Sequence, residues 1–111
     1  VFKANVGNIK LESVGIQNAV GTVFEFQLSE NGNLILDGVL VDDCYNVTFK
    51  ISGSSKYIGK NVNSIDDLPN VTKEFFKNTL NNSDFSETNT NLIFMIGDFS
   101  VSLEDLKDYN W

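Results

Sequence analysis

Alternation of apolar and polar residues is the feature that most constrains how this chain folds. Phe24, Phe26 and Leu28 fall on one side of a segment whose intervening residues are Glu and Gln, and residues 2–11 and 45–51 alternate in the same way. Successive side chains of a β-strand point to opposite faces, so a period of two indicates strands with one buried face. The first half of the chain is therefore predicted to be β-sheet.

Two turn signals interrupt this alternation and predict antiparallel hairpins. Gly7-Asn8 suits a two-residue turn. Glu30-Asn31-Gly32 favours a three-residue loop with Gly32 in the left-handed conformation, which pairs Ser29 with Asn33. That register keeps a single buried face across the second hairpin, made of Phe24, Phe26, Leu28, Leu34, Leu36 and Leu40.

The second half of the chain changes to a helical pattern. Ser64-Ile65-Asp66-Asp67 matches a helix start, with a hydroxyl cap and carboxylates in the first turn. Apolar residues then recur at three- and four-residue spacing, which predicts one amphipathic helix over about 64–80. Pro69 either lies in the first turns of this helix or forces a second start near Asn70.

The last segments return to β-structure. Residues 81–91 are polar and are expected to form a loop. Residues 92–96 are apolar throughout, which indicates a central strand covered on both faces. Gly97-Asp98 turns the chain into another alternating strand, and Ser102-Leu103-Glu104-Asp105 matches a capping box that opens a last helical turn.

Together these segments predict a single α+β domain over residues 1–111, with no internal repeat. Its sheet is expected to be mostly antiparallel and twisted, or a small barrel, with the 64–80 helix packed on it. Eight residues are predicted to be buried in the core: Leu28, Leu34, Leu36, Val47, Phe49, Phe75, Phe94 and Val101.

Missing residue types narrow the chemistry that this chain can perform. It has no histidine and no arginine. Without imidazole there is no near-neutral base, serine-type triad or usual zinc site, and without guanidinium there is no bidentate fork for phosphate. The only cysteine, Cys44, is expected to be a packed thiol in a reducing, cytoplasmic setting. We therefore predict no enzymatic activity, no cofactor and no metal.

The charge of the chain is acidic and unevenly distributed. Eight lysines stand against 15 acidic residues, for a net charge of −7. Residues 1–60 hold five lysines and six acids, whereas residues 61–111 hold three lysines and nine acids. Nucleic acid and anionic membranes are poor partners for such a surface, and a basic protein is a better one. The second half is therefore the predicted binding surface.

Three acidic pairs and one single acid are candidates for chemistry. Asp42-Asp43, Asp66-Asp67 and Glu104-Asp105 each lie at a predicted turn or helix start, and Asp98 follows Gly97 in a turn. Such places favour acids for structural reasons. We interpret the three pairs as structural first, as partner contacts second, and as metal-binding or catalytic groups last, and we interpret Asp98 as a turn residue before a catalytic one.

The predicted partner surface combines acids with aromatics at the C-terminus. Tyr109 and Trp111 stand beside carboxylates, and such aromatics are enriched in binding hot spots. Trp111 either anchors a partner or closes the edge of the core. The predicted set is Asp66, Asp67, Asp84, Glu87, Glu104, Asp105, Asp108, Tyr109 and Trp111.

In size, acidic charge, asparagine-rich composition and mixed β/α pattern, the chain resembles the small acidic immunity proteins of bacterial contact-dependent growth inhibition and related toxin systems. The resemblance implies a non-enzymatic cytosolic protein that inhibits a basic toxin domain, most specifically a nuclease. Two other hypotheses are a structural or assembly subunit of phage or virion type and a carboxylate-dependent hydrolase. The sequence leaves the oligomeric state open.

Overall fold

The computed structural model describes the backbone of residues 2–111 and the side chains of residues 7–111. Its helices are α1 (Ser55–Ile58), α2 (Asn70–Asn82) and α3 (Leu103–Asp108), with a 3₁₀ turn at Ile65–Asp67. Its strands are β1 (Phe2–Glu12), β2 (Gly15–Gln17), β3 (Val23–Asp37), β4 (Leu40–Asp42), β5 (Thr48–Ser52), β6 (Asp84–Phe85), β7 (Ile93–Ile96) and β8 (Phe99–Ser102).

The strands pair mainly in parallel as the chain winds into a coil. One sheet has the order β1-β3-β5-β7-β8, and a second has the order β2-β4-β6. Every pairing in both sheets is parallel except the antiparallel hairpin β7–β8. A third column consists of single bridges from Val20 to Tyr45 and from Tyr45 to Thr90. The chain passes the same three columns in each turn, which is the architecture of a short β-solenoid.

The expectation of a mostly antiparallel sheet or a small barrel is therefore wrong, and so are both early hairpins. Gly7-Asn8 lies inside the continuous strand β1, and Glu30-Asn31-Gly32 lies inside β3. Alternation shows that one face of a strand is buried, but it carries no information about the direction of the neighbouring strand. The alternation therefore predicted the strands correctly, but it did not predict whether neighbouring strands are parallel or antiparallel.

Residues 29–32 form a bulge rather than a turn. The pairing of β1 with β3 shifts between Val6 and Asn8, so that β3 accommodates the extra residues before Asn33 pairs with Asn8. A Cβ at Gly32 would lie 2.0 Å from the carbonyl oxygen of Gly7. Glycine is required here because two backbones approach closely, and not because the chain reverses direction.

An internal repeat of 25 residues underlies the coil, contrary to the expectation that there is none. Asn8 pairs with Asn33 and Gly15 pairs with Leu40, in each case 25 positions apart. From residue 8 to residue 52, residues at this spacing therefore occupy the same place in successive turns, whereas residues 2–6 pair with residues 22 positions on. Several of these positions carry identical residue types, namely Asn8 and Asn33, Leu11 and Leu36, Val14 and Val39, and Phe24 and Phe49.

Left-handed residues at the corners of the coil recur at the same spacing. Ser13 and Gly38 hold equivalent corners with φ of 56° and 67°. Glycine and asparagine adopt this conformation more readily than other residues. The amide Nδ2 of Asn91 donates a hydrogen bond to Oδ1 of Asn46 at another corner. Among the described residues, matched corners also include Asn18 with Asp43 and Gly21 with Asn46, each 25 positions apart, and Asn91, which follows Asn46 after 45 positions.

The third turn of the coil carries an insertion that forms the helices. Thr48 pairs with Ile93, 45 positions on instead of 25, and α1 and α2 lie between β5 and β6. The hydroxyl of Tyr57 in α1 accepts a hydrogen bond from the backbone N–H of Leu34, with N and O 3.0 Å apart. Helix α2 buries Phe75 and Phe76. The inserted helices thus pack against the second part of β3, which pairs with β1 and with no other strand that the structure describes.

The helix predicted over 64–80 divides at Pro69. The 3₁₀ turn at Ile65–Asp67 precedes it, and α2 begins at Asn70, so the second start is confirmed. Leu68 is extended, with ψ of 147°, because the residue before a proline avoids the helical region. None of the helices that the structure describes is long and apolar enough to cross a membrane.

The predicted core is confirmed at all eight positions, each of which is buried. Phe24, Phe49 and Phe94 stack in register along the coil, with ring centroids 5.2 Å apart at each step. Cys44 is a buried free thiol, as predicted. Leu40, which the hairpin register placed on the buried face, is instead 55% exposed.

The last two strands and α3 follow the sequence prediction closely. Gly97-Asp98 connects β7 to β8, and the Ser102 hydroxyl caps α3 by accepting the N–H of Asp105 at 3.2 Å. The 92–96 segment was predicted to be a central strand covered on both faces, but β7 lies next to the edge strand β8, and its Ile93 and Met95 are only half-buried. One face of this strand is fully covered, and the other is covered in part.

Candidate protein-binding surface

The two ends of the coil are built differently. At one end lie β1 and β2, the outermost strands of the two sheets; we refer to these strands and the first turn of the coil as the open end. At the other end lie β8, α3 and residues 109–111, which we refer to as the capped end. The predicted partner residues lie mainly at the capped end.

Helix α3 presents carboxylates because its apolar residues face inward. Leu103 and Leu106 are buried, and the backbone N–H of Leu103 donates to the carbonyl of Leu92 at 3.0 Å. This placement leaves Glu104, Asp105 and Asp108 exposed to solvent. Acids in the first turn also favour the helix through its dipole, so Glu104 and Asp105 have a structural role beside any role in binding.

Removing the Ser102 cap of α3 should cause a measurable loss of stability. Replacing Ser102 by alanine removes the acceptor for the Asp105 N–H and should lower the free energy of unfolding by about 1 kcal/mol. Chemical denaturation measures the change, and Ser100→Ala serves as the control, because Ser100 is exposed on the same strand. Equal stability of the Ser102 and Ser100 variants would contradict the role of the cap.

Tyr109 joins α3 to the inserted segment of the third turn. Its hydroxyl donates a hydrogen bond to Oδ1 of Asp66. This hydrogen bond to a carboxylate raises the pKa of Tyr109, because it stabilises the protonated phenol. Asp66, Asp105 and Tyr109 line an open groove of about 430 Å³ together with Phe99, which we call the Tyr109 groove. Residues distant in sequence thus meet at one surface.

The pKa of Tyr109 provides a test of this contact. Because the pKa is raised in the folded protein, the stabilisation is fully present below the ordinary tyrosine pKa of 10.0 and is lost as pH rises through the higher folded value. Asp66→Asn removes the charge and should return the titration towards its ordinary range. The ultraviolet absorbance of phenolate measures it, and Tyr109→Phe identifies the transition. Unchanged titration in Asp66→Asn would count against the contact.

Trp111 combines features of the two roles that the sequence allows, which are closing the edge of the core and anchoring a partner. Its indole Nε1 donates to the carbonyl of Leu106 at 2.8 Å, and its ring lies 6.1 Å from that of Phe76. The same ring lies 4.5 Å from that of Tyr109. Trp111 is half-buried. One part of the side chain therefore closes the core, while another part is open to a partner.

A second groove lies beside Trp111. Asp84 and Lys107 line it with Trp111 in a volume of about 280 Å³. The Lys107 ammonium donates to the carbonyl of Phe85 at 2.7 Å, which ties α3 to β6. Lys107 is not among the site residues predicted from the sequence. A basic residue in the last helical turn is the signal that could have indicated it.

Two of the predicted residues lie apart from these grooves. The Asp67 carboxylate accepts hydrogen bonds from the Asn63 N–H at 3.1 Å and the Ser64 hydroxyl at 3.4 Å, so it stabilises its own turn. Glu87 is exposed in the turn after β6 and lines neither groove. The structure therefore places Asp66, Asp84, Asp105, Tyr109 and Trp111 in the grooves, with Glu104 and Asp108 beside them on α3.

Asp98 extends the acidic surface beyond the predicted set. It lies in the β7–β8 turn and lines a groove of about 400 Å³ that shares Asn63, Phe99 and Ser100 with the Tyr109 groove. The two adjoining grooves include three aspartates and no lysine among the described residues that line them. The described side chains that line these two grooves therefore carry negative charges and no positive charge.

This surface is suited to binding cationic groups through several separate carboxylates. Within the described part of the chain, no three Cys, Asp or Glu side chains gather closely enough to hold a metal ion. No protein-family model, curated protein or solved structure shows significant similarity to this chain. The geometry of the capped end is therefore the basis for a functional proposal.

Proposed function

We propose that this chain is a non-enzymatic binding protein that recognises a basic protein through its capped end. The observation that carries the proposal is the pair of adjoining grooves lined by Asp66, Asp98 and Asp105, with Tyr109 beside them and no lysine among their described lining residues. In its most specific form, the proposal is inhibition of a nuclease-type toxin domain in the cytoplasm. The buried free thiol of Cys44 is compatible with such a reducing compartment.

Electrostatics favours a nuclease as the partner. A protein that holds nucleic acid needs a basic cleft, because phosphate contacts dominate its affinity. An acidic surface that meets such a cleft gains association rate through long-range attraction and gains specificity from charge complementarity. The carboxylates of the capped end would occupy the positions of phosphates. No arginine or histidine is needed on this side of the interface.

The aromatic residues supply the second component of an interface. Tyr109 is held by Asp66, and its ring lies 4.5 Å from that of Trp111. Aromatic side chains that are already ordered lose little entropy on binding and are common hot spots. Charges at the rim therefore accelerate encounter, while the Tyr109–Trp111 pair slows dissociation.

An affinity experiment in the native cell tests this proposal. The full chain serves as bait, and the variant with both Asp105→Lys and Asp108→Lys serves as the control bait. The proposal expects the unaltered chain to retain a basic protein whose nuclease activity falls on addition of the chain, and expects the control bait to release it. Retention of an acidic or neutral protein, or equal retention by both baits, would contradict it.

The structure also favours a second candidate, a structural or assembly subunit. The supporting observation is the 25-residue repeat, because stacked turns of a coil are a means of building elongated assemblies. This candidate predicts large homo-oligomers in solution, whereas the binding protein is expected to form at most a small closed oligomer. Light scattering on the purified chain distinguishes the two.

A further inference from the structure

The open end shows part of the inward face of the coil to solvent. In the middle turn, five inward residues are at most 3% exposed: Leu36, Val39, Val41, Cys44 and Val47. The residues 25 positions before them are only half-buried: Leu11, Val14, Ile16, Ala19 and Thr22. Equivalent positions of the repeat are thus buried in the second turn and only half-buried in the first turn.

At the capped end, the terminal turn of the coil is covered. Phe85 pairs with Val41 and continues its column, and it is 4% exposed. Leu92 is also 4% exposed and lies under the N-terminus of α3, bonded through its carbonyl to Leu103. Helix α3 and the C-terminal residues cover this end. Among the described residues, nothing equivalent to α3 covers the open end.

The distribution of charge favours a second copy of this chain as the cover. Residues 1–22 hold two lysines and one acidic residue, whereas residues 23–111 hold six lysines and 14 acidic residues. Two copies therefore repel each other over most of their surface. The open end is the region where this repulsion is weakest, and it is also the region with half-buried apolar side chains.

The edge strand is compatible with pairing about a two-fold axis. β1 is outermost in its sheet, and within the described residues it pairs with β3 alone. A strand that meets its own copy about a two-fold axis pairs in antiparallel fashion. Lys10 and Glu12 are exposed on β1 and form an ion pair at 3.1 Å. Pairing over the whole of β1 (Phe2–Glu12) places the axis at Gly7, so this ion pair stays within each copy.

We propose that this chain forms a head-to-head homodimer through its open end. The half-buried residues of the two first turns cover each other, and the two β1 strands join the sheets. The symmetry is closed, so assembly stops at two copies. Both capped ends then point outward, and the dimer presents two acidic surfaces. This dimer goes beyond the proposed function, since binding of a basic partner does not require it.

Sedimentation equilibrium of the full chain tests the dimer. The monomer has a mass of 12.4 kDa, and the expected species has twice that mass. Ile16→Lys places a charge on the half-buried face and should halve the apparent mass. Leu40→Lys is the matched control, since Leu40 is 55% exposed in the second turn, and it should leave the mass unchanged. Thr22→Lys gives a second disruptive variant, because Thr22 is half-buried on the inward face of the first turn and its equivalent in the second turn, Val47, is 0% exposed.

Each outcome bears on the dimer. A monomeric unaltered chain would overturn it, as would a larger assembly or a dimer that survives both Ile16→Lys and Thr22→Lys. Dissociation by Leu40→Lys would place the interface on the side of the coil and would also overturn it. Thermal melting shows that each variant is folded. Capture of a basic partner is measured separately, so failure of the dimer and failure of the proposed function are distinguishable.

Discussion

Replacing Leu36 by alanine should lower the free energy of unfolding by about 3 kcal/mol, whereas the same replacement at Leu11 should cost less than half as much. The two leucines occupy equivalent places in successive turns. Leu36 is 3% exposed, while Leu11 is half-buried at the open end. The cost of removing a core side chain grows with the burial that it loses and the cavity that it leaves, so equal substitutions at equivalent positions should differ.

Chemical denaturation of both variants measures this difference. It should be carried out at low protein concentration, because a dimer would add stability to the Leu11 position by mass action. Val14→Ala and Val39→Ala form a second matched pair with the same expected order, because Val39 is 1% exposed and Val14 is half-buried. Equal losses at Leu11 and Leu36 would show that the first turn is as well covered as the second.

Charge reversal at the capped end should slow association with the basic partner by about tenfold or more. Asp105 lines the Tyr109 groove, and Asp108 is exposed on the same helix. Lysine at both positions replaces attraction by repulsion on the face that meets the partner. The association rate of the unaltered chain should also fall as salt rises, because salt screens exposed charges.

Two matched single substitutions separate the effect of this surface on association from the effect of net charge. Asp105→Lys and Glu87→Lys change the charge of the chain by the same amount, but Glu87 lines neither groove. Asp105→Lys should therefore have the larger effect on association rate. Equal effects, or binding that does not depend on salt, would place the interface elsewhere. Stopped-flow or surface-based kinetics with the captured partner provide the rates.

Trp111→Ala tests the aromatic component of the same interface. It should weaken binding by about 2 kcal/mol or more, mainly through faster dissociation. Trp111 also contacts Phe76 and bonds to Leu106, so the substitution lowers stability as well. Trp111→Phe keeps the apolar contact and isolates the indole hydrogen bond. Binding by folded Trp111→Ala at full strength would remove Trp111 from the interface.

The sequence by itself determined most of the buried core and several of the local boundaries. All eight predicted core residues are buried, because the spacing of apolar residues along strands and helices indicates which face avoids water. The β7–β8 hairpin, the Ser102 cap and the start of α2 near Asn70 are also correct. Each of these depends on contacts between residues close together in sequence.

The direction of strand pairing was decided only by the tertiary structure. Gly7-Asn8 and Asn31-Gly32 are common hairpin turns, but here they lie inside long strands. Glycine and asparagine also suit bulges and the corners of a coil, so these residue types do not distinguish a reversal from a bulge. The 25-residue repeat was visible in principle in matched residues such as Leu11 and Leu36. The insertion in the third turn interrupts its period.

The acidic character of the second half was determined by sequence, and its arrangement was not. Folding brings Asp66 to Tyr109 and places Asp98 beside them, whereas it turns Asp67 towards its own backbone. Net charge is a sum over residues and needs no structure. Which carboxylates share a groove depends on how β8 and α3 close the end of the coil and on where the inserted helices lie. Those long-range contacts arise only when the turns stack and bury their common core.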